Sequence, residues 1–235
     1  MDSIIEGFIR ALFLILNLDK ELLNIILLSL RVSGTALIIS AMIGVPAGTA
    51  LGLLKFPVRN LLISLLNTFM GLPPVVVGLF VYLLLSRSGP LGFMGLLYTP
   101  SAMIVAQTIL ALPIVASLSH TAVVSVDPIM QQAAATLGAT PYQAAITIVN
   151  EARYGIMSGI IAGFGRVTAE VGAVLMVGGN IAGYTRVMTT TIALETDKGN
   201  FELALALGII LLALSSLVTV VLNIIQRKGI IRANK

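Results

Sequence analysis

The sequence predicts an all-α, polytopic integral membrane protein, and its composition and its long apolar segments are the observations that predict it. Of its 235 residues, 57% are hydrophobic and only 10% are charged, and its mean hydropathy is +1.04. Ordinary soluble domains carry about 25% charged residues. So few charged side chains cannot cover a soluble protein of this size with a hydrated surface. We therefore expect one transmembrane domain over residues 1–235, with a lipid bilayer as its surroundings.

Five segments of the chain are long and apolar enough to cross a membrane. A span needs about 20 apolar residues, because about 30 Å of hydrocarbon is crossed at 1.5 Å per residue. Each of the five contains at most two charged residues. They are Val32–Leu54, Asn60–Ser86, Ser88–Val126 with its centre near 99–123, Tyr154–Val177 and Leu203–Gln226.

The N-terminal segment and the basic residues bear on topology. Ile4–Leu18 is apolar but short, and it predicts either an interfacial helix or a short sixth span. Lys and Arg in short loops favour the cytoplasmic side. The basic residues between the first two spans and after the last one are therefore expected in the cytoplasm, which places Asp127–Arg153 there and residues 178–200 outside. The residues that set this orientation are Lys55, Arg59, Arg227, Lys228, Arg232 and Lys235.

The residues that are rare or missing exclude several functions. The chain has no Cys, which excludes disulfides and thiolate metal sites. It has one His, His120, so a Ser-His-Asp triad is not expected. No G-x-x-x-x-G-K-[ST] loop occurs, so the chain is not expected to hydrolyse ATP by itself. Basic residues are not interleaved with aromatic ones as in nucleic-acid-binding proteins. The sequence thus predicts neither an enzyme nor a resident cofactor or metal, and no nucleic-acid partner.

Small residues and prolines recur inside the expected spans. Glycines at every fourth position let membrane helices approach closely, and we expect packing within the chain, with a contact between subunits as the alternative. The two glycine stripes are Gly44, Gly48, Gly52 and Gly155, Gly159, Gly163. Prolines in membrane helices are interpreted as kinks, and they are Pro46, Pro73, Pro74 and Pro113. Asn67, Gln107 and Asn223 are expected to form hydrogen bonds between helices.

The cytoplasmic loop Asp127–Arg153 predicts two short helices with a hinge at Gly138. Asp127 followed by Pro128 is a helix start, with a capping side chain before a proline at the first helical position. Thr140 and Pro141 repeat this signal. Glycine accepts the left-handed conformation that ends a helix. The first helix carries an alanine-rich surface that would suit a groove on another protein, formed by Ala133, Ala134 and Ala135 with Leu137 beside them.

This loop resembles the E-A-A-x-x-x-G signature of ABC importer permeases, with Gln132-Ala133-Ala134 followed after three residues by Gly138. Gln132 stands where that family usually has Glu. In the family, the loop couples the membrane subunit to a separate ATPase. The resemblance therefore implies an ATPase-coupling role for Gln132, Ala133, Ala134, Leu137, Gly138, Pro141 and Tyr142.

A second stretch resembles the permeases for molybdate and tungstate. It runs from Arg166 to Ala173, continues through Met176 and the segment 179–186, and is most similar to the tungstate branch over 187–196. The resemblance implies the architecture of a type I ABC importer permease in the plasma or inner membrane of a prokaryote. It also implies a homodimer, two cytoplasmic ATPase subunits that use ATP, and an extracytoplasmic oxyanion-binding protein.

Two groups of polar residues are candidates for a translocation path or gate. Arg166 and Glu170 are the charged pair of the fourth span, and their i, i+4 spacing predicts one helix face. Arg166 could border an anion path, but a structural ion pair is the favoured interpretation. Asn180, Thr185 and Arg186 follow in the outer segment, either as a gate or as a re-entrant turn whose own hydroxyls satisfy it.

The leading hypothesis is the transmembrane permease of an ATP-driven oxyanion importer, with tungstate ahead of molybdate and sulfate. The alternative is a secondary transporter or channel for a small anion that works without ATP. That class predicts ionisable relays in several spans and inverted repeats, whereas the chain offers one charged pair and no evident repeat. An intramembrane enzyme would need a Ser-His or metal arrangement, which one His and no Cys do not provide.

Overall fold

A computed structural model describes residues 20–233 of the chain. Within this range the chain forms nine α-helices and no strand. They are α1 (Lys20–Leu53), α2 (Arg59–Met70), α3 (Pro74–Leu85), α4 (Pro100–Val124), α5 (Pro128–Thr136), α6 (Pro141–Thr168), α7 (Gly172–Gly178), α8 (Met188–Asp197) and α9 (Phe201–Ala233).

The helices account for the expected spans, though not all as single helices. By length and composition α1, α4 and α9 can each cross a membrane alone. The pairs α2–α3 and α6–α7 are each bent, and counting each pair as one span gives five. The all-α membrane fold is therefore confirmed. The expected N-terminal helix at Ile4–Leu18 lies outside the described residues.

The second expected span, Asn60–Ser86, is broken rather than kinked. Two 12-residue helices, α2 and α3, meet at an angle of 103° across Gly71, Leu72 and Pro73. Leu72 and Pro73 each precede a proline, and a residue in that position avoids helical backbone angles. Pro74 is well placed as the first residue of α3, because proline is favoured at the first helical position. Each helix is only about 18 Å long at 1.5 Å per residue, so neither crosses the bilayer alone.

The loop Asp127–Arg153 contains the expected first helix, but its expected second short helix is wrong. Asp127 caps α5 by accepting a hydrogen bond from the backbone N–H of Ile129 at 2.9 Å, and Gly138 has a φ of +80°. Thr140 and Gln143 form a reciprocal capping box at the start of α6. That helix then continues for 28 residues into the fourth span, because the signals that start it are followed by no proline or other break before Thr168.

The centre of the fold is α4, which packs between α1 and α6. The stripe on α1 approaches it closely: a β-carbon at Gly48 would lie 2.1 Å from the carbonyl oxygen of Ala116. The stripe on α6 does the same, since a β-carbon at Gly155 would lie 2.6 Å from the side chain of Ala122. Both glycine stripes are therefore used within the chain, as expected.

Two hydrogen bonds between helices complete this packing. The hydroxyl of Ser117 donates to Asn67 Oδ1 at 2.6 Å, and Gln107 Nε2 donates to the carbonyl oxygen of Val167 at 3.0 Å. These contacts confirm the expected roles of Asn67 and Gln107. The bond from Gln107 also places the end of α6 against the half of α4 that is nearer to Pro100, because Gln107 is 7 residues from Pro100 and 17 from Val124.

Candidate functional site: two helix breaks, a turn and an elbow

Two interruptions of the helical backbone lie side by side. The first, between α2 and α3, is Gly71–Pro73; the second, between α6 and α7, spans residues 169–171. Helices α3 and α7 pack closely there, since a β-carbon at Gly78 would lie 2.7 Å from the α-carbon of Ala173. Gly71, Pro73 and Ala169 are exposed on the described chain.

Arg166 connects the two interruptions. Its Nη2 donates to the carbonyl oxygen of Leu72 at 3.0 Å, while its Nε is buried and has no hydrogen-bond partner. Because Val167 is bonded to Gln107, this guanidinium lies well inside the span of α4 and away from both of its ends. A charge at such depth ordinarily faces a protein interior or a water-filled cavity.

The expected contact between Arg166 and Glu170 is wrong. No ion pair joins them in the structure described over residues 20–233, where Glu170 Oε1 instead accepts from the backbone N–H of Ala173 at 2.9 Å. The carbonyl oxygen of Glu170 accepts from Thr189 Oγ1, also at 2.9 Å. Helix α6 ends at Thr168, so the i, i+4 relation of a continuous helix does not apply. Glu170, which is 4% exposed, fixes the second break, and Arg166 fixes the first.

The outer segment 178–186 forms a turn that uses its own polar groups. Thr185 is fully buried; its hydroxyl donates to the carbonyl oxygen of Gly178 at 2.6 Å and accepts from the N–H of Ile181 at 2.9 Å. Asn180 has a φ of +49°, and its Nδ2 donates to the carbonyl oxygen of Thr190 at 3.5 Å. Its Oδ1 is buried without a partner. The geometry of Thr185 is that of a turn-closing residue.

Arg186 lies apart from the helix breaks, in a small cavity near the start of α9. The cavity has a volume of about 110 Å³ and is lined in part by Glu21, Arg186 and Glu195. Glu195 accepts hydrogen bonds from Lys198 Nζ at 2.9 Å and from Asn200 Nδ2 at 3.0 Å. These polar contacts close the connection between α8 and α9.

The surroundings of Glu195 predict a pH dependence. The hydrogen bond from Lys198, supported by Asn200 and by the charge of Arg186, lowers the pKa of Glu195 below its usual value of 4.5, although burial opposes this. A lowered folded-state pKa stabilises the fold above the usual value, and this contribution is lost as the pH falls through the folded-state pKa. Because Lys198 is 54% exposed, we expect about 1 kcal/mol or less from the pair.

The measurement is Tm as a function of pH for purified wild type and Glu195→Gln in detergent. The wild type should melt higher at neutral pH, and the difference should narrow as the pH falls below 4.5. A difference that is constant over this range would contradict a role for the ionised carboxylate.

The elbow between α5 and α6, which the sequence predicts to be cytoplasmic, presents exposed apolar side chains. Leu137 is 87% exposed and Tyr142 is 75% exposed, and Gln132, Ala133 and Gly138 are exposed with them, whereas Ala134 is half-buried. Pro141, exposed as well, begins α6. Ile129 and Ile146 extend the apolar surface, at 65% and 49% exposed. Contiguous exposed apolar surface of this kind is typical of a protein–protein contact.

The residues predicted from the sequence to line a path or gate therefore lie in three separate places: Arg166 and Glu170 at the helix breaks, Asn180 and Thr185 in the turn, and Arg186 in the small cavity.

Sequence reasoning missed one group of the site, the backbone carbonyl oxygen of Leu72 that accepts from Arg166. A backbone carbonyl oxygen cannot be recognised from the identity of its side chain. Gly71, Pro73 and Pro74 could have indicated that the helix breaks at Leu72, since glycine and consecutive prolines mark breaks.

The chain matches known transport proteins over most of its length. Residues 44–229 match the family described as binding-protein-dependent transport system inner membrane component. The chain is 49% identical to a probable anion ABC transporter permease protein of Haloferax volcanii, over 82% of this chain and 85% of that one. It is 40% identical to a tungstate uptake system permease protein of Peptoclostridium acidaminophilum, over 97% of this chain and 100% of that one.

Solved structures of ABC importers share the fold. A chain of the methionine ABC transporter in an inward-facing conformation aligns with a TM-score of 0.72 at 18% identity, over 88% of this chain and 95% of that one. A bacterial ABC transporter for alginate import aligns with a TM-score of 0.74 at 18% identity, covering 92% and 82%. The broken spans, the elbow between α5 and α6 and these matches lead to one conclusion: the chain belongs to the family of binding-protein-dependent inner membrane components and is a permease subunit of an ABC importer, with the type I fold.

Proposed function

We propose that this chain is the permease subunit of a tungstate importer. Tungstate uptake permeases of two bacteria support this substrate, at 40% and 36% identity over 97% of the chain. A molybdenum permease at 33% identity and a sulfate permease at 32% identity stand further away, and they handle related oxyanions. The observation that carries the proposal is Arg166, a cation at membrane depth that forms no ion pair with a carboxylate among residues 20–233.

Two copies of the chain would enclose the path. Irregular backbone inside a bilayer is tolerated only against protein or water, not against lipid, yet Gly71, Pro73 and Ala169 are exposed on the described single chain. The neighbouring helices α2 and α3 also leave large apolar side chains uncovered. A second copy placed over this face covers them and leaves an aqueous path beside Arg166. The uncovered side chains are Leu61, Leu62, Leu65, Phe69, Val75, Val76, Leu79, Phe80 and Leu83.

Coupling to ATP would take place at the cytoplasmic elbow. Gln132, Ala133, Ala134, Leu137 and Gly138, with Pro141 and Tyr142 across the hinge, form the docking surface for a separate ATPase subunit, one for each copy of the chain. ATP is bound and hydrolysed by those subunits, and this chain performs no chemistry of its own. An extracytoplasmic binding protein delivers the anion.

The path residues divide into two levels. Arg166 lies at the helix breaks, where Glu170 fixes the shape of the second break. Asn180, Thr185 and Arg186 lie in the outer segment, which would act as the gate below the binding protein. Thr185 would hold the closed shape of that turn by its two hydrogen bonds.

The decisive experiment is transport by the reconstituted complex. The chain is co-expressed with its ATPase and purified; its stoichiometry is determined, and uptake of tungstate into proteoliposomes is measured with the binding protein and ATP. We expect two copies of this chain per complex, uptake that requires ATP, and competition by molybdate that exceeds competition by sulfate.

The same preparation tests the alternative. The chain purified alone should show no ATPase activity above a mock preparation, and vesicles containing it alone should take up no tungstate. Anion uptake by the chain without its ATPase would instead favour a secondary transporter or channel.

A further inference from the structure

We propose that the two adjoining helix breaks form a binding site for a tetrahedral oxyanion, in which Arg166 is the charged ligand and the Leu72 carbonyl oxygen occupies the guanidinium when the anion is absent. The site deepens the proposed function and rests on it for the identity of the anion.

Arg166 has unused capacity. A guanidinium carries five N–H donors in a fixed fork, and the structure gives it one acceptor, the carbonyl oxygen of Leu72 at 3.0 Å from Nη2. Its Nε is buried and unpartnered. The nearest carboxylate in sequence, Glu170, is turned to the backbone N–H of Ala173. The positive charge is therefore held in place by a neutral group, which leaves it available to an anion.

Both breaks are exposed close to this charge. Gly71 and Pro73 are exposed on one break, and Ala169 is exposed on the other. Arg166 itself is partly exposed, which gives a ligand arriving from the proposed path access to this residue. The surrounding helices are apolar, and a low local dielectric strengthens the interaction between a guanidinium and an anion.

The chemistry favours an oxyanion as the ligand. A planar guanidinium binds two oxygens of one anion through parallel N–H···O bonds, which a single carbonyl oxygen does not satisfy. An anion that binds the guanidinium through Nη2 competes with the Leu72 carbonyl oxygen for that nitrogen. Leu72 lies between α2 and α3, whereas Arg166 belongs to α6. Exchange of the carbonyl oxygen for an anion at Nη2 therefore removes the hydrogen bond that joins the α2–α3 pair to α6, the helix that begins at the docking surface.

The test uses the absence of Cys from the chain. A single Ala169→Cys variant, assembled with its ATPase, is reacted with a negatively charged thiosulfonate and with a positively charged one of similar size. The ratio of the two rates reports the electric potential at the break, independently of transport. A positive cleft raises the local concentration of anions and their rates of association by 10-fold or more.

Arg166→Gln keeps a hydrogen-bond donor for Leu72 but removes the charge. We expect it to lower the rate with the negatively charged reagent, divided by the rate with the positively charged one, about tenfold. Arg166→Lys should retain most of this ratio. The matched control is Arg87→Gln, which removes an exposed arginine in the outer loop and should leave the ratio unchanged. Sodium tungstate and sodium molybdate should protect the cysteine in the wild-type background and not in Arg166→Gln. Val75→Cys, 57% exposed in the first turn of α3 next to the other break, is the second reporter if Ala169→Cys does not assemble.

Each outcome separates the site from the proposed function. A ratio that is the same with and without Arg166, a reporter that no aqueous reagent reaches, or a lack of protection by both oxyanions would each overturn the site, even in a complex that imports tungstate. Arg166-dependent protection in a complex that does not import tungstate would support the site and reject the proposed substrate.

Discussion

Replacing Gly48 with alanine is expected to separate α1 from α4 and to destabilise the whole fold. The new β-carbon would lie 2.1 Å from the carbonyl oxygen of Ala116 and 2.9 Å from the β-carbon of Ser119. The first of these is backbone, so relief requires a shift of one helix against the other. Overpacking of a core typically costs about 1–3 kcal/mol, and we expect the upper end of that range.

The matched control is Gly34→Ala in the same helix. A β-carbon at Gly34 has nothing within 4 Å, and alanine is the better helix former by about 1 kcal/mol. Tm in detergent and the yield of folded protein are the measurements. Gly48→Ala should melt well below the wild type, and Gly34→Ala should melt at or above it. Equal Tm values for the two variants would contradict the close contact.

Replacing Gly138 with valine is expected to uncouple transport from ATP while leaving the membrane-embedded part assembled. Gly138 has a φ of +80°, and no atom lies within 4 Å of an added β-carbon there. The effect is therefore one of backbone strain and not of a clash. A left-handed conformation costs about 1–2 kcal/mol for an ordinary residue, and more for a β-branched one. Since 1.4 kcal/mol is tenfold, ATPase association should weaken roughly tenfold or more.

Asparagine at the same position separates strain from side-chain size, because it tolerates the left-handed region. Gly138→Asn should keep most of the ATP-dependent uptake, and Gly138→Val should lose it, with the same amount of each variant recovered as dimer. Uptake by Gly138→Val at the wild-type level would reject the hinge between α5 and α6.

Local signals explain which parts of the fold could be predicted. The starts of α5 and α6 follow from Asp127-Pro128 and Thr140-Pro141, whose caps are made by residues within three positions in the chain. The glycine stripes give the packing of α4 for the same reason, since a period of four residues marks one face of a helix. Hydropathy supplies five spans because it depends on composition and length alone.

The helix breaks could not be predicted in the same way. Residues 60–86 carry no charged side chain, so a hydropathy average over the whole segment hides the bend at Leu72. The end of α6 at Thr168 depends on tertiary contacts, because Glu170 is held by Thr189 and Ala173 and no proline follows. The sequence therefore indicated Arg166 and Glu170 as the residues of interest but predicted the wrong contact between them, since that contact assumed a helix that does not continue.

The unbroken α6 gives the protein a lever arm. Pro141 at the elbow and Arg166 at the breaks are 25 residues apart on one helix, or about 38 Å at 1.5 Å per residue. A tilt of about 5° at the elbow would therefore swing the guanidinium by about 3 Å, as far as the 3.0 Å that separates it from the Leu72 oxygen. A hydrogen bond does not survive such a displacement. Val167, the next residue, would move about as far, so a rotation of this size would release or restore two hydrogen bonds together, the one from Arg166 to Leu72 and the one from Gln107 to Val167.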